Sequence, residues 1–464
     1  MYPFMIGDEK MSKTIAAVAT GNAAGGIGVI RISGEHAIEI ASAVFKPADG
    51  KPLTVVKGYH ARFGSIYYNG EALDEAVALV FRAPKSYTGE NVVELSVHGG
   101  LYIVQKTLEA VFDAGAVPAE PGEFTKRAFL NGKMDLAQAE GVANMISAQG
   151  QAAVRASMHL IDGALSRRIG EVLEDLLDAS ALMGAWVDYP DEEIPELEAC
   201  ELEKTLDSAV KALSGLLREY ENGIVMTEGV DAAIAGKPNA GKSTLMNLLS
   251  GSEKSIVTDI EGTTRDIVEG SVRLGQLVLH LSDTAGIRDG ADAVEKIGIE
   301  RTFGKIDSAQ LIIAVFDVSR PLDENDMRLI EKCRGKKAVA VINKIDLEDS
   351  KKLPEVEQAF EKTVYISAKQ TDYLKEVEKA VISVLGAENF NASAPMLANA
   401  RQKACCKNAL GYVDEALFAL KSGMTFDAVN VMIDSAADEL LALTGKKATT
   451  EVVNNIFSKF CVGK

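Results

Sequence analysis

The chain has 464 residues, of which 47% are hydrophobic, and its 49 basic and 67 acidic side chains give a formal net charge of −18. This length exceeds what one hydrophobic core supports, so we expect about two to four domains. So acidic a protein does not attract nucleic acid over its whole surface, and any RNA would bind at a local basic patch or through a partner.

The cysteines and the apolar runs indicate a reducing, aqueous compartment. No C-x-x-C pair occurs and no histidine stands at zinc spacing, so neither a disulfide framework nor a zinc site is expected. The longest apolar runs, such as residues 311–316, are far shorter than the ~20 residues of a membrane span. Residues 1–12 lack a signal-peptide pattern, and we expect a cytoplasmic protein. The cysteines are Cys200, Cys333, Cys405, Cys406 and Cys461.

Residues 12–128 predict an α+β domain. Short β-type runs separated by turns predict strands at 14–19, 28–32, 76–81 and 91–97. Helix-period apolar residues predict helices at 36–44 and 101–114. Many separated strands with two helices among them form an α+β pattern.

The next stretch, from about residue 129 to 220, is helical in pattern, with an acidic break at 188–195 that contains two prolines. After about residue 387 the chain is helical again, with helices expected at 396–422, 426–444 and 450–457. We predict one helical domain with an α/β domain inserted into it, because an independent C-terminal piece would be marginal on its own. The predicted segments are 1–128, 129–228 (helical, first part), 229–387 (inserted) and 388–464 (helical, second part).

Residues 236–243 read Gly-Lys-Pro-Asn-Ala-Gly-Lys-Ser, the G-x-x-x-x-G-K-[ST] pattern of a phosphate-binding loop. Gly236 and Gly241 let the backbone turn consecutive N–H groups toward one anion. Lys242 adds a charge for the β- and γ-phosphates, and the Ser243 hydroxyl is a ligand for Mg²⁺. A predicted strand at 230–235 precedes the loop and a predicted helix at 243–249 follows it, so the phosphates would lie at a helix N-terminus.

Two further motifs indicate guanine. Asp346 ends an N-K-I-D sequence after a predicted strand at 338–342, and its carboxylate would accept two hydrogen bonds that guanine offers and adenine lacks. Ser367-Ala368-Lys369 follows a short predicted strand at 364–366 and would supply a backbone N–H to the guanine O6. With Asp283-Thr284-Ala285-Gly286, the ordered set resembles the G domain of translation-factor-like GTPases over residues 229–387.

Distinctive strings also lie outside this domain. They are G-V-I-R-I-S-G at 28–34, S-Y-T-G-E-N-V-V-E at 86–94, H-G-G at 98–100, P-G-E-F-T-K-R-A-F-L-N-G-K at 121–133, Y-P-D-E-E-I at 189–194 and F-C-V-G-K at 460–464. With these strings the chain resembles the MnmE (TrmE) family of tRNA-modification GTPases from about Lys13 to its end. The resemblance implies a multidomain α+β and α/β fold: an N-terminal folate-binding and dimerising domain, a helical domain, and an inserted Ras-like P-loop G domain.

The resemblance also implies an activity shared between two proteins. With an FAD-dependent partner of the MnmG (GidA) type, the family adds an aminomethyl or carboxymethylaminomethyl group to C5 of the wobble uridine of certain tRNAs. The one-carbon unit comes from a tetrahydrofolate derivative, 5-formyl- or methylene-tetrahydrofolate. Two alternatives stay open: a regulatory GTPase switch for ribosome assembly, and a folate-binding scaffold in which GTP only drives conformation.

At the GTP site, Mg²⁺ is expected to be held by Ser243 and Thr264. Asp283 would hold one of its waters, and the Gly286 N–H would contact the γ-phosphate. The residues expected to bind GTP are Asn239, Ala240, Gly241, Lys242, Ser243, Thr244, Thr258, Thr264, Asp283, Thr284, Ala285, Gly286, Asn343, Lys344, Asp346, Ser367, Ala368 and Lys369.

The sequence lacks the glutamine that Ras-like GTPases carry after this glycine. Ile287 cannot orient water, and the resemblance gives that role to Glu295, although a carboxylate in such a charged stretch is usually only solvated. Arg288 is a further catalytic candidate beside Lys242, or a contact to a dimer partner. Phosphoryl transfer needs a positive charge near the γ-oxygens. The resemblance supplies it as K⁺, held by Asn239, Thr258, Ile260 and Thr263; alternatively Asn239 only forms a turn.

A folate site is expected in the first domain. A pterin needs a carboxylate for its N–H edge, and the glutamate tail of folate needs cations. The resemblance assigns these roles to Glu94, Arg31 and Lys133, and it places Lys464 near them. In the alternative interpretation Arg31 pairs with a neighbouring carboxylate and Lys133 is only exposed. Cys461 is either a reactive thiol or a small packed residue.

Overall fold

The computed structural model describes residues 13–21, 23–188, 199–251, 271–281, 306–347, 352–388 and 390–463. Contacts divide these residues into two compact units. The first unit holds the chain up to Ala143 and from Leu441 onward, and the second holds the described residues from Asn144 to Leu440. The domain boundaries drawn from the sequence stay predictions, because residues 441–463 group with the N-terminal part while the sequence pattern groups them with the helices.

Within the described residues the secondary structure alternates between two sheets and many helices. The strands are β1 (Ile15–Val18), β2 (Ile27–Ser33), β3 (Phe45–Pro47), β4 (His60–Tyr68), β5 (Glu71–Phe81), β6 (Val92–His98), β7 (Val117–Pro118), β8 (Val230–Gly236), β9 (Ser271–Leu274), β10 (Leu277–Leu281), β11 (Leu311–Asp317), β12 (Ala338–Asn343) and β13 (Lys362–Ile366). The helices are α1 (Ala37–Val44), α2 (Leu101–Asp113), α3 (Glu123–Leu130), α4 (Leu136–Ser147), α5 (Gln151–Ile161), α6 (Ala164–Asp188), α7 (Ala199–Glu228), α8 (Lys242–Gly251), α9 (Glu324–Cys333), α10 (Pro354–Ala359), α11 (Leu374–Leu385), α12 (Ala400–Lys421), α13 (Phe426–Thr444) and α14 (Thr450–Phe457).

The first unit is built on a 7-stranded sheet in the order β3-β4-β5-β6-β2-β1-β7, antiparallel except for the pair β1 and β7. Alternation along the strands separates its two faces. Ile30 and Leu95 point into the core with α1 and α2 and are fully buried. Arg31 follows Ile30 in β2, and Glu94 precedes Leu95 in β6, so the side chains of Arg31 and Glu94 lie on the other face of the sheet. The two residues are direct cross-strand partners.

The end of the chain packs onto this unit. Phe457 and Phe460 form a small apolar core with Leu136. Gly463 has φ +95°, and a Cβ there would lie 2.3 Å from the Val18 carbonyl oxygen of β1. Only glycine permits so close an approach of two backbones, so the F-C-V-G-K string fits its place against the sheet.

The helices before and after the inserted domain form one bundle in the second unit. Helix α7 packs against α5, α6 and α12. Ser180 of α6 donates a hydrogen bond to Asp434 of α13 at 2.6 Å, and Cys406 of α12 is buried against the Leu213 carbonyl of α7. Helices from both sides of the inserted domain therefore pack together, as an interrupted helical domain would require, and the division of the chain into that domain stays a prediction.

The inserted domain has a 6-stranded sheet in the order β13-β12-β11-β8-β10-β9, parallel except for the pair β9 and β10. Apolar residues cover both faces, and β11 is buried almost throughout, as a central parallel strand requires. The strand order reverses at β8, which lies between β11 and β10. In open α/β sheets, ligands bind at the carboxyl ends of the strands at such a point.

Most predicted elements agree with the structure to within a few residues. The predicted helices at 426–444 and 450–457 match α13 and α14. The helix predicted from 396 begins at Ala400, because Asn399 caps it by accepting a hydrogen bond from the Gln402 N–H. Strand β4 was not predicted; Gly64 interrupts its pattern, and a Cβ there would lie 2.2 Å from the Lys46 carbonyl oxygen of β3.

In the described parts of the chain, no helix is both long enough and apolar enough to cross a membrane.

Candidate guanine-nucleotide site

The predicted phosphate loop connects the carboxyl end of β8 to the N-terminus of α8. Gly236 has φ +155° and Gly241 has φ +99°, a region that side chains other than glycine rarely adopt. A Cβ at Gly236 would lie 2.4 Å from the Val315 carbonyl oxygen, and one at Gly241 would lie 2.0 Å from Nδ2 of Asn343. Both glycines of the pattern are therefore required by contacts as well as by backbone conformation.

Lys242 bends back over this loop. Its Nζ donates to the carbonyl oxygens of Gly236 at 2.8 Å and Lys237 at 2.6 Å. No carboxylate of the described residues forms an ion pair with Lys242, and burial lowers the pKa of its amine. A half-buried ammonium that is held only by neutral carbonyl groups is suited to an anion, and phosphate oxygens would replace those carbonyls.

Asn343 joins the two halves of the site. Its Nδ2 donates to the Ala240 carbonyl at 2.9 Å, and its Oδ1 accepts from the Ala368 N–H at 2.9 Å. The residue is 3% exposed. The sequence predicts Asn343 as a nucleotide contact, whereas the structure shows it tying the phosphate loop to the S-A-K loop. These contacts fix the distance between the phosphate-binding and base-binding loops.

The carboxylate predicted to read the base lies at the other end of the site. Asp346 accepts hydrogen bonds from Ser367 Oγ at 2.9 Å and from Lys369 Nζ at 2.9 Å. The bond from Lys369, and after it the bond from Ser367, lowers the pKa of Asp346 below its ordinary value and so stabilises the carboxylate form. A charged acceptor is what the two adjacent N–H donors of guanine require.

Lys344, between these motif residues, is held in an uncommon conformation. It has φ +74°, and its Nζ pairs with Asp317 Oδ2 at 2.5 Å, at the end of β11. Burial acts to raise the pKa of Asp317, but hydrogen bonds from Lys344 and Ser319 outweigh it and lower the pKa. The ion pair therefore anchors the N-K-I-D loop to the central strand of the sheet.

These side chains meet around one cavity of about 440 Å³, within the range of small-molecule and cofactor sites. Most of the described residues predicted to bind GTP line it, and Ala240 contributes a carbonyl oxygen behind it. Leu347 also lines the cavity and was not predicted, because an apolar residue after the N-K-I-D motif carries no signal of its own. The lining residues are Asn239, Gly241, Lys242, Ser243, Thr244, Asn343, Lys344, Asp346, Leu347, Ser367, Ala368 and Lys369.

The remaining predicted residues of the GTP and cation sites lie outside the described residues. Their roles stay predictions. They are Thr258, Ile260, Thr263, Thr264, Asp283, Thr284, Ala285, Gly286, Arg288 and Glu295. Elsewhere in the described chain, no group of three or more histidine, cysteine, aspartate or glutamate side chains is arranged to hold a metal ion.

The first unit contains the residues predicted for folate. Arg31 donates from Nε to Glu94 Oε1 at 2.8 Å, and its Nη2 lies 2.8 Å from the same oxygen. Its Nη1 donates to the Gly463 carbonyl oxygen at 3.1 Å. Lys133 donates to the Pro84 carbonyl oxygen at 3.1 Å. Arg31 thus pairs with the neighbouring carboxylate, one of the two interpretations left open by the sequence, and Lys464 lies outside the described residues.

Together, a glycine-bent loop between β8 and α8, a lysine held by carbonyl groups, and a carboxylate positioned for guanine define a P-loop GTPase. The site places phosphate and base recognition in one cavity of one α/β domain.

Comparisons with known proteins extend this assignment to the rest of the chain. Residues 136–461 match the MnmE helical domain and residues 14–133 match the GTP-binding protein TrmE N-terminus. The tRNA modification GTPase MnmE of Acetivibrio thermocellus is 40% identical over 457 residues, covering 97% of this chain and 99% of that protein. The MnmE of Carboxydothermus hydrogenoformans is 39% identical, covering 98% and 100%. The chain belongs to the MnmE family of tRNA-modification GTPases, and it is a GTP-hydrolysing enzyme.

Solved structures align over shorter stretches. Era from Aquifex aeolicus bound to GDP and AlF4⁻ is 23% identical, with a TM-score of 0.26, and covers 39% of this chain and 66% of that protein. The family assignment does not rest on this likeness.

Proposed function

We propose that this protein couples GTP hydrolysis to modification of the wobble uridine in certain tRNAs. The observation that carries the proposal is the cavity in which Lys242 and Asp346 face one nucleotide-sized space, in a chain that matches the MnmE family over nearly its whole length. The relatives are named tRNA modification GTPases, which supplies the RNA substrate. The family resemblance supplies the position on the base.

The proposed chemistry needs two further molecules. A tetrahydrofolate derivative supplies the one-carbon unit, and an FAD-dependent protein of the MnmG type completes the addition of an aminomethyl or carboxymethylaminomethyl group to C5. In the proposal the protein acts as a homodimer, and GTP hydrolysis changes the arrangement of the complex. This part rests on the family resemblance together with the contacts of Arg31 and Glu94 in the first unit.

The test is the composition of tRNA from cells that lack the protein. Mass spectrometry is expected to find wobble uridines without the modification, and the wild-type gene is expected to restore it. A gene encoding Lys242→Met is expected to fail to restore it at the same protein level. Unchanged wobble nucleosides in the deletion strain would contradict the proposal, and a ribosome-assembly defect with normal tRNA would favour the regulatory switch.

The residues of the phosphate loop fit the cations of the proposal. Ser243 lies in the first turn of α8 and is exposed to the cavity, where its hydroxyl would coordinate a Mg²⁺ bound to phosphates. Asn239 is also exposed to the cavity and has φ +60°, a left-handed conformation that asparagine tolerates. Its side-chain oxygen would be one ligand of K⁺, and this cation would supply positive charge beside the phosphates.

Turnover of GTP is expected to be faster in K⁺ than in Na⁺ at constant Mg²⁺, and Asn239→Ala is expected to lose most of this difference. The variant should still bind GDP, because Lys242 and Asp346 are unchanged. Steady-state hydrolysis in the two salts measures the effect. Equal rates for the wild type in K⁺ and Na⁺ would remove K⁺ from the proposal. A variant that keeps the K⁺ response would remove only Asn239.

For the folate part, we propose different tasks for Glu94 and Arg31, supported by their contacts. The guanidinium of Arg31 is occupied by Glu94 and the Gly463 carbonyl, so it holds the carboxylate in place. The other oxygen of Glu94, Oε2, has no hydrogen-bond partner among the described residues, and the side chain is 23% exposed. That oxygen is open to the N–H edge of a pterin, which fits a reduced folate in this position.

Glu94→Gln is expected to weaken binding of 5-formyl-tetrahydrofolate at least about tenfold, because a charged acceptor becomes a neutral amide. Glu75→Gln is the matched control, since Glu75 is an exposed glutamate of β5 in the same sheet. Isothermal titration calorimetry of the three proteins measures the affinities. If Glu94→Gln and the wild type bind equally, Glu94 is not a folate ligand.

A further inference from the structure

Lys237 is a cation inside the phosphate loop that does not line the nucleotide cavity. It occupies the second position of the G-x-x-x-x-G-K-[ST] pattern, where the pattern specifies no residue. Its Nζ lies 2.7 Å from Asp323 Oδ2 and 2.5 Å from Asp326 Oδ2. A lysine next to a phosphate site is therefore paired with two carboxylates on another element.

Both carboxylates are held in place by hydrogen bonds at the N-terminus of α9. Asp323 is the N-cap of α9, and its Oδ1 accepts from the N–H groups of Asn325 at 2.8 Å and Asp326 at 3.3 Å. Asp326 completes the capping box by accepting from the Asp323 N–H at 3.1 Å, and it is 6% exposed. Leu329 and Ile330 of the same helix lie in the core beneath the sheet. The first turn of α9 thus presents two negatively charged carboxylates, held in fixed positions, as acceptors for the Lys237 ammonium.

Lys237 is also connected to the catalytic side of the loop through its backbone. Its carbonyl oxygen accepts from Lys242 Nζ at 2.6 Å and from the Ala240 N–H at 3.3 Å. When Lys242 leaves the carbonyl oxygens of Gly236 and Lys237 for phosphate oxygens, the loop loses two of its internal contacts. A loop held from outside by the Lys237 side chain keeps its shape through that exchange, and preorganised donors lower the cost of binding.

We propose that Lys237 is a positioning residue for GTP binding and hydrolysis: by pairing with Asp323 and Asp326 it fixes the first half of the phosphate loop to the first turn of α9. It touches neither nucleotide nor reacting atoms, and it acts through the backbone that presents the loop. Nucleotide recognition in this domain then depends on α9, a helix outside the loop and the base-reading motifs.

The test compares Lys237→Met with Lys237→Arg and with Lys336→Met. Lys336 pairs with Asp307 at 2.6 Å in the same domain, which makes it a matched loss of a lysine–aspartate pair away from the loop. Lys237→Met is expected to raise the Kd for GDP about tenfold, because the loop loses both of its charged contacts to α9 and part of that loss reaches nucleotide binding. Lys237→Arg, which can reach both carboxylates, is expected to restore most of the affinity.

Melting curves separate positioning from simple stabilisation. Lys237→Met and Lys336→Met are expected to have similar Tm values without nucleotide, while the rise in Tm on adding GDP shrinks only for Lys237→Met. Asp326→Asn made in the Lys237→Met background is expected to cost little further affinity, since the two residues act as one unit.

An unchanged Kd for Lys237→Met, or an equal change for Lys336→Met, overturns the proposal. A Lys237→Arg variant that binds GDP as weakly as Lys237→Met also overturns it. If Lys237→Met does not fold, the GDP affinities of Lys237→Arg and Asp323→Asn are compared instead. Lys237→Arg is expected to bind GDP more tightly than Asp323→Asn, and equal affinities would overturn the proposal.

Discussion

Replacing Lys242 with methionine is expected to lower GTP turnover by about 10²–10³-fold, the usual cost of removing one preorganised donor from a transition state. Methionine keeps much of the length of the side chain and removes its charge. Lys242 donates to the carbonyls of Gly236 and Lys237, and it is the cation of the phosphate loop that lines the cavity. The measurement is steady-state hydrolysis of GTP, with Lys336→Met as the control.

The same substitution is expected to leave the nucleotide-free protein at least as stable as the wild type. Burial lowers the pKa of Lys242 in the fold, so between its folded and unfolded pKa the unfolded chain binds more protons. Stability then rises with pH across that window, and below it the buried charge is a net cost. Methionine removes this cost. A variant that melts well below the wild type without nucleotide would show that Lys242 supports the fold itself.

Bound phosphates reverse this balance, because they favour the charged form of Lys242. Affinity for GDP is therefore expected to fall as pH rises through the lowered pKa of Lys242. Lys242→Met should bind GDP weakly, and its affinity should not show this fall with rising pH. Any titration of guanine itself affects the wild type and the variant equally. Calorimetric titrations of the two proteins across alkaline pH measure the difference. Parallel pH profiles would contradict the assignment of Lys242 as the phosphate-binding cation.

Local patterns were enough to predict the elements that carry the GTP site. The apolar run before Gly236 and the helix-period residues after Lys242 depend only on neighbours in sequence, so strand, loop and helix were predictable. The same holds for the guanine motif, because the residue types of an N-K-x-D sequence carry the chemistry. The interrupted helical domain was also predictable, since flanking helical segments need each other to bury their apolar faces.

Contacts between distant residues were not predictable in this way. Asn343 ties two loops together through Ala240 and Ala368, and no periodicity in the sequence marks that task. Lys237 pairs with carboxylates more than eighty positions away, at a motif position with no required residue. The pairing of Arg31 with Glu94 depends on the register of β2 and β6, which alternation alone leaves undetermined.

The C-terminal segment shows the limit of pattern for domain organisation. Its helix α14 has the same periodicity as the helices of the bundle, and the sequence therefore groups them. In the structure its apolar residues Phe457 and Phe460 pack with Leu136 in the first unit. Periodicity identifies which face of a helix is buried, but it does not identify the partner that buries it.

Asp346→Asn is the second substitution with a large expected effect. The carboxylate is ionised at neutral pH, and the hydrogen bonds from Lys369 and Ser367 lower its pKa further below the ordinary value. Lys369 is 73% exposed, so its ion pair is weak and is readily exchanged for the N–H groups of guanine. Asparagine keeps one acceptor and replaces the other with a donor that faces the exocyclic amine. GDP affinity is expected to fall at least about 100-fold, since two charged hydrogen bonds are lost or inverted.

The amide N–H group that Asp346→Asn introduces predicts a change in which base is bound. Xanthine carries an oxygen where guanine carries the exocyclic amine, so the amide of Asn at position 346 can donate to it. The Asp346→Asn protein is expected to bind XDP better than GDP, while the wild type prefers GDP, and Asp372→Asn, an exposed aspartate of the same domain, should behave like the wild type. Titrations with fluorescent GDP and XDP measure both affinities. A protein that loses GDP affinity without gaining XDP affinity would mean that Asp346 supports Ser367 and Lys369 rather than reading the base, and an unchanged GDP affinity would place the base elsewhere in the cavity.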